Sequence, residues 1–130
     1  MTMNSSTQVN TWSVRKRIWV TFQRKGFHLY LGAPDAVSYL ATRHRHLFKY
    51  KVTVDVEHSN RDVEFHMFQT ALEALYDNGS LEMDGKSCET LAEELIERVQ
   101  SLYPKLNFIE VEVSEDGECG GVVSYQKIPK

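Results

Sequence analysis

Cysteine, basic charge in excess and long apolar runs are all missing or scarce in this chain of 130 residues, and each absence removes a class of protein. Two cysteines, Cys88 and Cys119, are too few for a disulfide framework and have no Cys-x-x-Cys spacing; a reduced, cytoplasmic setting is the simpler expectation, and neither is marked as a zinc ligand by motif. No apolar stretch approaches the roughly 20 residues that a membrane-spanning helix needs. A formal net charge of −3 removes the global electrostatic argument for nucleic-acid binding. There is no internal repeat and no long linker. Residues 1–10 are polar, without the basic start and apolar core of a secretion signal, and 1–12 are expected to form a flexible arm ahead of a single domain over 13–130.

What is present is an ordinary globular composition, 42% hydrophobic and 25% charged. Ile18, Val20 and Phe22 alternate with polar neighbours and predict a strand from Arg17 towards Leu31, bent or bulged near Gly26 so as to re-aim His28. A loop at 32–35 and a helical turn over Val37 to Thr42 follow. From Phe48 the alternation is clean, with Tyr50, Val52, Val54 and Val56 on one face. Residues 58–60 make a turn. Phe68, Leu72, Leu75 and Tyr76 lie at helical spacing within His66 to Tyr76, stopped by Asn78 and Gly79. A second helix is predicted from Ser87, its cap, to Tyr103, with Leu91, Leu95, Val99 and Leu102 on one stripe and Pro104 beyond its end. Two further strands hold Ile109, Val111 and Val113, and then Val122, Val123 and Tyr125, around a turn at 116–121. The order is β-β-α-α-β-β, an α+β arrangement.

Three motifs invite a chemical reading. Gly85-Lys86-Ser87 precedes a helix, but the spacing back to Gly79 is one residue too long for a phosphate loop and no apolar parallel strand feeds it; a turn and a helix cap explain it. Arg43 to Lys51, reading RHRHLFKYK, mixes basic and aromatic residues, yet on a strand the two kinds fall on opposite faces, which makes nucleic acid an unlikely partner. The histidines carry more. His44 and His46, two apart at the head of a strand, share a face, and His28 at the end of the neighbouring strand can complete a three-histidine zinc site with a fourth position left for water or a ligand oxygen.

In this ordered set the chain resembles the 6-pyruvoyl-tetrahydropterin synthases and the related 6-carboxy-tetrahydropterin synthases of the 7-deazaguanine pathway. His28 and His44-Arg45-His46 stand where that family has its zinc ligands, and Glu64-Phe65 is similar to its Asp-Phe ahead of the first helix. Ser87-Cys88-Glu89-Thr90-Leu91-Ala92 is similar to its Thr-Ser-Glu-x-Leu-Ala, and Val111-Glu112-Val113-Ser114-Glu115 to its Val-x-Val-x-Glu. The resemblance implies a tunnelling fold (T-fold), an antiparallel sheet with two helices on one face, and a homo-oligomer whose barrel buries ligand sites between subunits. It also implies zinc on His28, His44 and His46, with Glu115, Glu89, Glu64 and Phe65 around a pterin or purine ligand and Glu115 anchoring the ring.

The chain departs from the family where protons move. The family's cysteine, a few residues before the His-x-His, is absent from Tyr39-Leu40-Ala41-Thr42-Arg43, and Asn78 follows Asp77 where its histidine is expected. Neither Leu40 nor Asn78 titrates. Cys88, Cys119 and His66 are the candidates to stand in, and the catalytic residues stay unassigned. Two functions follow: a zinc-dependent lyase acting on dihydroneopterin triphosphate or a relative, or an inactive member that binds or sequesters a pterin, purine nucleotide or nucleotide signal. Arg43, Arg45, Lys49 and Lys51, clustered near the histidines, are candidates to meet a phosphate.

Overall fold

The computed structural model describes residues 11–129, so most of the expected arm lies outside the described residues. The chain runs β1 (Arg17–His28), a 3-10 segment (Asp35–Ala41), β2 (His44–Asp55), α1 (Phe65–Glu73), β3 (Leu81–Asp84), α2 (Cys88–Leu102), β4 (Phe108–Glu115) and β5 (Cys119–Gln126). The strands form one sheet in the order β3-β1-β2-β4-β5. The expected β-β-α-α-β-β order holds, and β3 adds a short edge strand, parallel to β1, between the helices.

Alternation decides which side chains go inside. Along β1 the inner row is Ile18, Val20, Phe22, Arg24, Gly26 and His28, and along β2 it is the even residues His44 to Val54. Ile109, Val111 and Val113 continue the row on β4, opposite Tyr125, Val123 and Gly121 of β5. Both helices cover this face, α1 against β1 and α2 against β4 and β5. Leu91, Ala92, Leu95, Ile96 and Val99 are the buried stripe of α2. Each of its large aliphatic side chains contributes about 1.5 to 3 kcal/mol over an exposed position. Leu102, expected on that stripe, is instead half exposed at the helix end.

Local capping explains the helix boundaries. The Ser87 hydroxyl accepts from Thr90 N at 3.1 Å and starts α2 at Cys88. The Glu64 carboxylate accepts from the backbone of His66 and Met67, both at 3.1 Å, so α1 starts at Phe65. β1 differs from expectation in one respect: its ladder with β2 runs unbroken from Arg17 opposite Asp55 to His28 opposite His44. The irregularity falls instead between Phe27 and His28 on the β3 side. His28 turns inward by plain alternation. Gly26 is needed for a different reason, since a Cβ there would lie 2.9 Å from the ring of the fully buried Phe48.

Candidate metal centre and pocket

Register brings the three histidines together. His28 and His44 are direct cross-strand partners and His46 faces Gly26, one inner-row step further along. The ring centroids lie 4.5 Å (His28 and His44), 5.1 Å (His28 and His46) and 4.9 Å (His44 and His46) apart, all edge to face. One ligand atom from each falls within 4.8 Å of the others.

The orientation of each ring is fixed by what its other nitrogen does. His46 Nδ1 lies 2.7 Å from Asp116 Oδ2, and His44 Nδ1 lies 2.7 Å from the Thr42 carbonyl. A carboxylate and a carbonyl can only accept, so both Nδ1 atoms carry the proton and both Nε2 atoms present a lone pair. His28 has a backbone partner in Lys86. The Nε2 atoms of all three rings are buried with no hydrogen-bond partner. Three orphaned imidazole nitrogens converging on one point fit a divalent metal such as zinc, which binds neutral imidazole. Burial is the largest influence on His28; the neighbouring His44 and His46 act with it and Glu115 against it, and the net effect lowers its pKa, which keeps the ring neutral.

Asp116 is a site residue that no motif singles out. Its Oδ1 accepts from Leu47 N at 2.9 Å while Oδ2 holds His46, and its own N–H donates to the Leu47 carbonyl at 2.8 Å. The Leu47 N–H and then His46 hold its carboxyl below the usual range. Carboxylate, histidine and metal in series orient a ligand and raise its basicity. In sequence Asp116 read only as the first residue of a turn, and with φ at 59° it is one.

Beside the triad opens a cavity of about 530 Å³. His28, His44 and Glu115 line it from the sheet, Leu29, Tyr30 and Leu40 from the β1–β2 connection, Ser87, Cys88 and Glu89 from the start of α2, and Cys119 and Gly120 from β5. Glu89 lies against the bare backbone of Gly121, where a Cβ would sit 2.8 Å from its Oε1. Of the residues expected around the ligand, the structure brings Glu115 and Glu89 to the cavity. Glu64 and Phe65 are not among its lining residues; Glu64 is occupied as the cap of α1 and Phe65 is half exposed.

The basic cluster divides. Arg43, just ahead of β2, donates to Glu82 of β3 at 2.7 and 3.2 Å and stacks 3.8 Å over Phe27 of β1, so it is not a free cation for a phosphate. Arg45, Lys49 and Lys51 occupy the odd positions of β2, the face away from the histidines. Lys86 lines the cavity and pairs with Glu94 at 2.9 Å.

Fold and site together define an α+β tunnelling fold with a curled five-stranded sheet and a histidine cluster at one end of its covered face. Among solved structures it is similar to the 6-pyruvoyl tetrahydropterin synthase of Plasmodium falciparum (TM-score 0.65, 12% identity, 88% of this chain and 100% of that one). It is similar also to a catalytic-residue mutant of the Plasmodium vivax enzyme (TM-score 0.64, 14% identity, with the same 88% and 100% covered). A third is a Vibrio cholerae protein assigned as a dihydroneopterin aldolase, FolB (TM-score 0.59, 8% identity, 88% and 100% covered). No family model matches the sequence, and no curated protein matches it. At these identities the likeness establishes the fold. Among the described residues no helix is long and apolar enough to cross a membrane.

Proposed function

We propose that this chain is a divergent tetrahydropterin synthase-like protein that holds zinc on His28, His44 and His46 and takes a pterin- or purine-type ligand in the adjoining cavity. The observation that carries the reading is the set of three buried, unpartnered Nε2 atoms beside Glu115 on the cavity wall. Zinc bound there supplies a Lewis acid that lowers the pKa of a ligand hydroxyl. The chain's own contribution is recognition. A carboxylate such as Glu115 accepts two parallel hydrogen bonds from a ring N–H and an exocyclic amine, the pairing that distinguishes amino-oxo heterocycles, and Glu89 offers a second acceptor on the cavity wall. Glu64 and Phe65 contribute only where a second copy brings them to the pocket, in keeping with a homo-oligomer. Two free cysteines suit a cytoplasmic setting.

In this reading the chemistry is lyase-type, on dihydroneopterin triphosphate or a relative. A second reading, capture without turnover, draws on one further observation: the buried thiol at the head of α2, on the cavity wall, is held back from acting as base. Leu40 lines the wall where the resemblance calls for cysteine. Burial, then Glu115, Glu89 and Cys119, push the Cys88 thiol up to about 11, far from the thiolate that proton abstraction needs. Metal analysis and native mass spectrometry of the purified protein and of His44→Ala test both. Zinc near one per chain that is lost in the variant, with a retained heterocycle, supports the pocket, and turnover of that compound separates enzyme from binder. Wild-type protein with neither metal nor affinity for added zinc refutes the proposal.

A further inference from the structure

We propose that Glu115 is a fourth ligand of the metal in the ligand-free protein and closes the site with a protein carboxylate. The proposal rests on the reading that the triad holds a metal. Glu115 Oε2 lies 3.2 Å from His28 Nε2, and Oε1 lies 3.6 Å from His46 Nε2. With metal–nitrogen and metal–oxygen bonds of roughly 2.0 to 2.2 Å, atoms at neighbouring corners of a tetrahedron stand about 3.3 to 3.5 Å apart. The two observed separations belong to different carboxylate oxygens and lie to either side of that edge, which puts the carboxylate group, rather than one fixed oxygen, at the fourth corner. Direction agrees with distance: at 3.2 Å a hydrogen bond between His28 and Glu115 would be within reach, yet His28 Nε2 has no hydrogen-bond partner. Two atoms at hydrogen-bond distance that do not point at one another can both point at a third centre.

Glu115 has little freedom to be elsewhere. It sits in the sheet, paired with Phe48 on one side and Cys119 on the other, so its side chain rises from the same face as the histidines. Three neutral imidazoles and one carboxylate leave a divalent ion with a net charge of +1, a better match for a partly buried site than +2. A closed coordination shell makes the open position conditional. A ligand whose N–H groups draw the Glu115 carboxylate onto its ring uncovers the metal as it binds, so recognition and metal access become one event.

Cobalt(II) is the probe. Wild-type protein loaded with cobalt is expected to show four-coordinate visible bands that do not move when azide is added, because the fourth corner is filled. Glu115→Gln keeps one cobalt per chain but binds it about 100-fold or more weakly, and its bands now shift with azide. Glu118→Gln, which removes the same charge from the adjoining turn, behaves as wild type. Glu115→Asp, whose carboxylate is retracted by one methylene, gives the same azide response and serves if the glutamine variant fails to fold. Wild-type bands that move with azide overturn the proposal and leave the triad standing. So does a Glu115→Gln affinity within about threefold of wild type. Absence of cobalt binding in the wild type overturns the triad and the fourth ligand together.

Discussion

Replacing Asp116 with asparagine removes one charge and keeps the shape, and its effect on metal binding can be worked out from the hydrogen bonds. Both carboxylate oxygens are acceptors, one for His46 Nδ1 and one for Leu47 N. Asparagine has a single acceptor oxygen and an NH2 group that only donates. If the oxygen keeps Leu47 N–H, the NH2 faces His46 and requires Nδ1 to accept, which moves the ring proton to Nε2, the atom turned to the metal. If the oxygen turns to His46, the NH2 meets the Leu47 N–H donor to donor. Either arrangement weakens the site, by an expected 10- to 100-fold in metal affinity, equivalent to about 1.4 to 2.8 kcal/mol. Asp116→Ala should cost less, because water can take the place of the acceptor and the correct tautomer survives. Competition titration against a chromophoric chelator gives the affinities. An asparagine variant that binds zinc as tightly as wild type, or more tightly than the alanine variant, would refute the tautomer argument.

Three further outcomes are expected. Gly121→Ala displaces Glu89 from the cavity wall, since the added Cβ would lie 2.8 Å from Oε1; ligand affinity should fall while zinc content stays unchanged, and zinc loss would show that the effect is not local. Ser87→Ala removes the α2 cap and should cost about 1 kcal/mol, or roughly 3 to 5 °C in thermal unfolding followed by circular dichroism. The backbone N–H of His66, then that of Met67, hold the Glu64 carboxyl below its ordinary range. The folded chain therefore gives up that proton more readily than the unfolded one, and the contribution of this cap is full above the ordinary carboxylate range and is lost as pH falls from there through the lowered value of the folded chain. The gap in melting temperature between wild type and Glu64→Gln should thus narrow as the pH is taken from neutral to below the ordinary carboxylate range, and a constant gap would contradict this.

How much of this was legible in the sequence depends on whether a feature is local. The alternation from Phe48 to Val54 and the α2 stripe are repeated several times within one element, and both are where they were expected. His44 and His46 needed only the two-residue period of a strand, and His28 only its neighbour's end. β3 left no such trace: Leu81 and Met83 are its only apolar residues, and the strand exists because β1 pairs with it. A glycine within a strand is often a bend, but at Gly26 the space a side chain would need is taken by Phe48, which no local pattern reveals. Asp116 was hidden for the same reason. Its function lies in a contact 70 positions back in the chain, while in its own neighbourhood it is a turn residue. The pairing of Arg43 with Glu82 likewise depends on β3 and removed one candidate phosphate ligand.

The two halves of the pocket are mounted on different kinds of structure. All three histidines and Glu115 stand on a continuous hydrogen-bonded ladder, whereas Leu29, Tyr30 and Leu40 come from the connection at 29–43, outside that ladder. Lengthening, shortening or rewriting the middle of this connection alters the wall that a ligand meets and leaves the pairing of His28 with His44 untouched. Evolution, or a protein engineer, can therefore reshape the cavity while retaining the histidine cluster. The fold separates the loop wall of the cavity from the strand-borne histidine cluster, and descendants of one such chain can diverge in the one without having to rebuild the other.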